Sequence, residues 1–264
     1  MERKLRNGLL IIDMQNDFVL ANGALSVVGA EDDAKRVAEF IKRNCKAIDG
    51  ITLTMDSHYP YHIAHPIFWK DKDGNHPAPF TTITLQDLKD GKWHTTIAPT
   101  WPAHYLEELD KQGKSLVLWN PHCLISTQGW AIQEDVINAV INWSETTGQV
   151  YRIECKGSNI LTEHFSVLES CVPVPNCPET QLNQNLLNVL NSFEHVYLFG
   201  EAANYCVLNT LADLNKYTPD LVSKLIILED CMSAIGAWDI NTDPVYQKAV
   251  SLGAKIVKST EVTL

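Results

Sequence analysis

HVYLFGEAANYCVLNTLADL, His195 to Leu214, is the stretch on which the fold turns. His195 to Phe199 is mostly apolar and β-prone, and Gly200 and two alanines follow. From Cys206 onward, Val207, Leu208, Leu211 and Leu214 fall at helical spacing. The pattern predicts strand, tight turn and helix, with a thiol in the helix's first turn. A cysteine there meets the positive end of the helix dipole, which favours thiolate. The unpaired N–H groups of the same turn could hold an oxyanion. A buried structural cysteine is the plainer reading of the same position.

Working outward, the same alternation recurs. Strands are predicted at Leu9–Ile12, Ile51–Met55, Ser115–Trp119, Val150–Cys155, Lys224–Leu228 and Ala254–Val257, and a short one at Thr81–Leu85. Helices are predicted at Glu31–Asn44, Tyr105–Lys111, Gln133–Trp143, Glu179–Phe193 and Val245–Leu252. Continuous apolar runs such as Leu9–Ile12 suit strands buried on both faces. Strands alternating with helices predict an α/β fold: a three-layer, mostly parallel, doubly wound sheet with helices on both faces. Residues 1–264 read as one domain, with an excursion at about 59–102 whose regular pattern breaks down. That segment holds Trp69, Trp93 and Trp101 with His62, His65, His76 and His94, and reads as a lid or substrate-binding loop.

At 264 residues the chain can bury a large core. A net charge of −11 argues against nucleic-acid or anionic-membrane partners, both of which need a basic face. The apolar run near the N-terminus stops at Asp13, too short for a secretory signal or a membrane span. Seven scattered cysteines without a CxxC pair read as reduced thiols and a cytoplasmic location; Cys171 and Cys177 are the pair that an oxidising compartment would join.

In open α/β sheets, ligands bind beyond the carboxyl ends of the strands. Asp13 follows the first predicted strand, Asp56 and His58 the second, and Trp119 and His122 the Ser115–Trp119 strand. Lys156 and Cys206 follow the strands beginning at Val150 and His195. Singly, each has a bland reading: a turn aspartate, a solvated lysine, a loop histidine. Jointly they crowd one rim with ionisable groups, as active sites do. A thiol needs a base for its proton and a cation for its thiolate, and Asp13 and Lys156 supply them. Asp56 and His58 point the same way on an extended backbone. With His122 they offer a carboxylate and two imidazoles, a set that suits a divalent ion, with Zn, Fe and Mn all acceptable.

These residues sit in six motifs that resemble the nicotinamidase branch of the isochorismatase-like cysteine hydrolases, in that family's order. They are IIDMQNDF (Ile11–Phe18), GALSVVGA (Gly23–Ala30), DSHYPYHIAHPIFW (Asp56–Trp69), LWNPHC (Leu118–Cys123), CKG (Cys155–Gly157) and GEAANYCV (Gly200–Val207). The resemblance implies an isochorismatase-like fold and a metal-dependent cysteine amidohydrolase that converts nicotinamide to nicotinate and ammonia, in NAD salvage. Cys206 would attack the carboxamide, Asp13 would carry its proton to the departing ammonia, and Lys156 would stabilise the thiolate. A cis peptide would fall between Glu201 and Ala202, and the N–H groups of Ala202 and Cys206 would form the oxyanion hole. Phe18 and Trp119 would sandwich the ring. Asp56, His58 and His122 would hold one divalent ion, zinc first, with His65 or its rival His62 as a fourth ligand. Family members often assemble, so a homo-oligomer is compatible.

The motifs depart from the family at Ser57, where tryptophan is usual, at Ile67, where serine is common, and at Ala203-Asn204, in place of T-D. These changes keep two alternatives open. One is a related hydrolase acting on another amide, carbamoyl or ureido group; the other is a non-catalytic binding protein on the same fold.

Overall fold

The computed structural model describes residues 6–264. The first five residues, which the single-domain expectation included, lie outside the described residues. Six parallel strands form the main sheet: β1 (Asn7–Ile12), β2 (Gly50–Asp56), β5 (Arg152–Lys156), β6 (His195–Gly200), β7 (Leu225–Leu228) and β8 (Lys255–Val257). Their order is β5-β2-β1-β6-β7-β8. Two further short strands, β3 (Thr82–Ile83) and β4 (Leu116–Val117), pair antiparallel in a sheet of their own.

The central strands are apolar throughout because both faces are covered. Leu9 and Ile11 of β1, with Tyr197 and Phe199 of β6, enter a core under the helices Ala30–Arg43 and Glu134–Thr147. Leu10, Ile12, Val196 and Leu198 enter a second core under Gln184–Asn191, Cys206–Tyr217 and Pro244–Ser251. The period of two along each strand sends alternate residues to opposite layers. The three-layer α/β architecture predicted from the sequence is the one observed.

Three expectations are corrected. Ser115–Trp119 is not a strand of the main sheet. β2 already has β1 and β5 as its neighbours, and the run instead pairs with β3. There Leu116 and Leu118 join a third core with Ile63, Phe68, Trp69, Tyr105, Leu106 and Leu109. A short apolar run carries the same pattern in either place. The region 59–102 holds the short strand expected at Thr81–Leu85, as β3, and also a 3-10 turn at Pro66–Phe68 and a helix at Leu85–Lys89 that were not expected, and it builds much of this third core. The predicted helix Glu179–Phe193 divides into a 3-10 turn at Pro178–Thr180 and a helix at Gln184–Asn191. The break follows from two side chains. Buried Thr180 bonds back to the Cys177 carbonyl, and the Asn183 carboxamide caps the helix by accepting the Leu186 N–H at 3.0 Å. All seven cysteines are free, Cys171 and Cys177 included.

The polar rim is set by strand register. The order reverses at β1, whose sequence successor β2 lies on one side while β6 lies on the other, so the crevice opens beyond the ends of these strands. Asp56 and Lys156 are direct partners at the ends of β2 and β5, and Ile12 is paired with Gly200. Gly200 has φ +127°, and a Cβ there would lie 2.0 Å from the Ile12 carbonyl oxygen. Only glycine lets β6 leave the sheet this close to β1. Gly200→Ala is expected to lower unfolding stability by about 2–4 kcal/mol, read as a lower urea midpoint at unchanged slope.

Candidate active site

The ammonium of Lys156 is the centre of the rim. Its Nζ lies 2.8 Å from Asp13 Oδ2, 3.3 Å from Asp56 Oδ1 and 3.5 Å from Cys206 Sγ. All four side chains are buried. Asp13 stands just past β1 with φ 45°, so the chain turns sharply there. Its carboxylate accepts a hydrogen bond from the Thr54 hydroxyl at Oδ1, while its own N–H donates to Thr54 Oγ1 at 3.0 Å. Cys206 opens the helix Cys206–Tyr217.

Burial pushes the Cys206 thiol well up, and although Lys156 pulls the other way, the Asp13 and Asp56 carboxylates add to the rise. Burial and the two carboxylates thus work against the thiolate that the helix dipole and Lys156 favour. Burial also raises the Asp13 pKa, with Lys156 opposing. Burial works against the Lys156 charge, but Asp13 and Asp56 outweigh it and hold the ammonium well above its ordinary range. One buried cation faces two buried carboxyls, an arrangement in which a proton moves between neighbours more easily than it escapes to solvent.

Beyond Asp56 lies a histidine cluster. Asp56 Oδ2 is 3.0 Å from His58 Nε2 and 3.3 Å from His122 Nε2. The Nδ1 atoms of both rings face backbone carbonyls, Gly157 for His58 at 3.0 Å and Asn120 for His122 at 2.8 Å. A ring that donates from Nδ1 turns an Nε2 lone pair inward, as metal-binding histidines do. His65 repeats the pattern: its Nδ1 faces the Pro60 carbonyl at 3.1 Å, and its buried Nε2 has no hydrogen-bond partner. Burial pushes its pKa down to about 3, so the ring is neutral. The rival His62 differs. Its Nδ1 accepts the Ala64 N–H and its Nε2 faces the Thr162 carbonyl, so both nitrogens are spent. Two sets of three lie close enough to share an ion, Asp56–His58–His122 and His58–His62–His65; the tautomers, inferred from these partners, leave the His65 Nε2 unpartnered and engage both His62 nitrogens. The donor set fits a divalent ion on the strength of the orphaned His65 nitrogen and the inward lone pairs.

Burial lowers the His58 pKa, but Asp56 outweighs it and the net direction is up; a proton and a metal compete for this nitrogen. Gly157 closes the back of the cluster with φ +82°. A Cβ there would sit 2.7 Å from Asp56 Oδ1 and 2.8 Å from His58 Cε1.

Phe18, Leu25, Trp119, Phe165, Tyr205 and Ile235 line a narrow pocket with Asp56, His122, Glu163, Ala202 and Cys206 at its polar end. Phe18 and Trp119 thus share one cavity with the nucleophile candidate, and the lining residues lie outside 59–102. That segment contributes His65 and the core on which Trp119 rests. The peptide between Glu201 and Ala202 is cis. At this turn Tyr205 and Val207 donate to the Ala202 carbonyl, whereas the Ala202 and Cys206 N–H groups have no backbone acceptor among the described residues.

Sequence reasoning missed the groups that hold these residues. The Gln15 carboxamide donates to the carbonyls of Asp56 and Trp130 and accepts the Asp56 N–H at 2.7 Å, clamping the end of β2. Thr54 was visible only as a hydroxyl inside an apolar strand. Glu163 and Phe165 enter the pocket from one loop and Ile235 from another, without a local signal, while Tyr205 comes from the turn just before Cys206. Ser57, where tryptophan is usual, accepts the Trp130 indole N–H at 2.8 Å. Nothing in the structure explains Ile67.

No family model matches the chain. It is 24% identical over 202 residues to the nicotinamidase of Saccharomyces cerevisiae, covering 76% of this chain and 78% of that one. Among solved structures, the yeast nicotinamidase bound to the inhibitor nicotinaldehyde superposes with a TM-score of 0.65 at 19% identity, covering 96% of this chain and 99% of that one. The pyrazinamidase of Pyrococcus horikoshii in complex with zinc gives a TM-score of 0.54 at 20% identity, covering 96% and 99%. The fold is that of the nicotinamidases. The yeast sequence match agrees with the motifs and supports the nicotinamidase branch of the isochorismatase-like hydrolases.

Metal affinity tests the cluster. His65→Ala is expected to weaken zinc binding by about 10–100-fold, while His62→Gln leaves it nearly unchanged, as measured by competition with a chromophoric chelator. Equal losses in the two variants would contradict the assigned tautomers.

Proposed function

We propose that the chain is a cysteine amidohydrolase acting on a small aromatic amide, with nicotinamide as the substrate. The observation that carries this reading is the position of Lys156 Nζ, within 3.5 Å of Cys206 Sγ and 2.8 Å of the Asp13 carboxylate in a buried crevice. An acid that can take the thiol proton and a cation that can stabilise the resulting thiolate are what a nucleophilic thiol needs.

In this reading Cys206 Sγ attacks the carboxamide carbon as its proton passes to Asp13. The Ala202 and Cys206 N–H groups take the charge that develops on the carbonyl oxygen. Asp13 returns the proton to the departing nitrogen, which leaves as ammonia, and a thioester remains on Cys206. Asp13 then takes a proton from a water that attacks the thioester, the C–S bond breaks to release the carboxylic acid, and Asp13 returns the proton to the departing Cys206 sulfur. Lys156 stays protonated throughout and offsets the negative charge that moves between sulfur and carboxylate. Phe18 and Trp119 supply apolar walls for a planar ring in the pocket they share with Cys206. Asp56, His58, His122 and His65 would hold a divalent ion, zinc by analogy with the Pyrococcus relative, and such an ion would supply a Lewis acid for a ring nitrogen. The product, nicotinate, would feed NAD salvage. Among the described residues no helix is long and apolar enough to cross a membrane.

The test is ammonia release from nicotinamide by the purified protein, with and without chelator. Cys206→Ala is expected to lower turnover by about a thousandfold or more, and chelation to lower it reversibly. A Cys206→Ala variant as active as the parent would end this reading. Turnover of another amide with nicotinamide inert would end only the substrate assignment. Lys156→Met is expected to abolish turnover and to cost about 3–5 kcal/mol of stability, because it leaves two buried carboxyls without their cation; urea denaturation measures the second effect.

A further inference from the structure

Behind the Cys206 turn lies a second carboxyl pair that the proposed reaction does not use. Glu201, between Gly200 and Ala202, is fully buried. Its Oε2 accepts the Ser233 N–H at 3.3 Å, and its buried Oε1 has no donor. The same serine faces a second buried carboxyl: Ser233 Oγ donates to Asp33 Oδ2 at 2.5 Å. Asp33 Oδ1 in turn pairs with Arg36 Nη2 at 2.5 Å. Ser233 therefore ties together two carboxyls from opposite sides of the structure, one on the helix Ala30–Arg43 and one on the turn before the nucleophile.

The charges around this pair are unequal. Arg36 is the cation beside it, and its side chain is 40% exposed, so solvent screens it. The Asp230 carboxylate is turned away and takes up the Ser259 N–H and hydroxyl. The Cys231 thiol and the Tyr246 hydroxyl are held neutral, burial raising both. Two buried carboxyls with one screened cation cannot both ionise cheaply. Asp33 has the Arg36 ion pair and the Ser233 hydroxyl as donors, whereas Glu201 has the Ser233 N–H alone. Burial and the nearby Asp33 push the Glu201 carboxyl well above the usual range, with a side-chain hydrogen bond to Asp33 adding to the rise. The proton that such a bond requires also gives the undonated Oε1 its partner.

The pair bears directly on the site. Ala203 N–H donates to the Ser233 carbonyl at 2.8 Å, Asn204 exchanges hydrogen bonds with the backbone of Ile235, and Tyr246 donates to the Ala203 carbonyl at 2.7 Å. The turn that carries Ala202 and Cys206 is thus clipped along its back to 233–235, and the clip is anchored at Ser233 by both carboxyls. We propose that Glu201 is a positioning residue, a neutral carboxylic acid whose proton, shared with Asp33, holds the 201–206 turn on Ser233, so that losing this proton in alkaline solution loosens the turn and lowers hydrolysis. The activity arm of this proposal rests on the amidohydrolase reading; the structural arm does not.

Infrared titration of the whole protein reads the proton directly. The parent should show the carbonyl band of a protonated carboxylic acid at neutral pH, the band should titrate away in alkali, and Glu201→Gln should lack it. Asp33→Asn removes the neighbouring charge and should shift the titration to lower pH, which keeps the test open if the first variant folds poorly. A parent without the band, or a Glu201→Gln protein that retains it, overturns the proposal. A native state that binds this proton more tightly than the unfolded chain loses stability as pH rises from the ordinary carboxylate range through the raised value. The parent's Tm should therefore fall with pH relative to that of Glu201→Gln; parallel Tm curves overturn the proposal. In the activity arm, Glu201→Gln keeps the hydrogen bonds without the titration. Its kcat/KM should stay within about threefold of the parent at neutral pH, with the alkaline limb moved to higher pH, whereas Glu201→Val should lose activity at every pH. Superimposable limbs in parent and Gln variant overturn the link to hydrolysis. A parent that turns over no nicotinamide fails the functional reading alone, since the infrared and Tm results decide the proton without substrate.

Discussion

A single buried ammonium holds the rim of this sheet together. Lys156 Nζ touches the carboxylates of Asp13 and Asp56 and the thiol of Cys206 at once, and each comes from a different strand end. Without the lysine, two carboxyls buried beside one another would repel in a medium that screens poorly. With it, the ends of β1, β2, β5 and β6 have a common electrostatic partner. The same contact places a carboxyl and an ammonium beside a thiol.

Around this centre, titratable groups are sorted by what their second contacts demand. Thr54 and Lys156 keep Asp13 facing the sulfur, and Gln15 clamps the backbone of Asp56. Carbonyls of Gly157, Asn120 and Pro60 turn three imidazoles inward. The Ala64 N–H turns His62 out of the set. The outer shell of backbone groups decides which histidines are free to ligate, and residue type alone does not. The Glu201–Asp33 pair applies the same logic behind the turn, where one serine meets two carboxyls.

Much of the fold was legible because burial on two faces leaves a strong mark. Leu9–Ile12 and Val196–Phe199 are continuous apolar runs, and glycine or an acid follows each. Asp13, Asp56, Lys156 and Cys206 were legible as site candidates for the same reason: in a parallel sheet, polar residues just past such runs gather on one edge. Ser115–Trp119 misled because a short apolar run satisfies a local core as well as a central strand, and the choice depends on whether a neighbour position is open. The break in Glu179–Phe193 was hidden because Thr180 and Asn183 act through hydrogen bonds that helical spacing does not record. The roles of Gln15 and Thr54 stayed invisible for a related reason, since each acts on a partner far away along the chain.

By itself the sequence determined the layer architecture, the strand ends that carry chemistry, and the motifs that align the chain with the nicotinamidases. Those are properties of periodicity and of local order, and they survive without knowledge of distance. Only the tertiary structure decided that burial works against the Cys206 thiolate, that His65 and not His62 has a nitrogen without a partner, and that one serine meets both Glu201 and Asp33. Charge, tautomer and proton position depend on the dielectric and on partners within a few ångströms, and chain order does not specify those partners until the chain has folded.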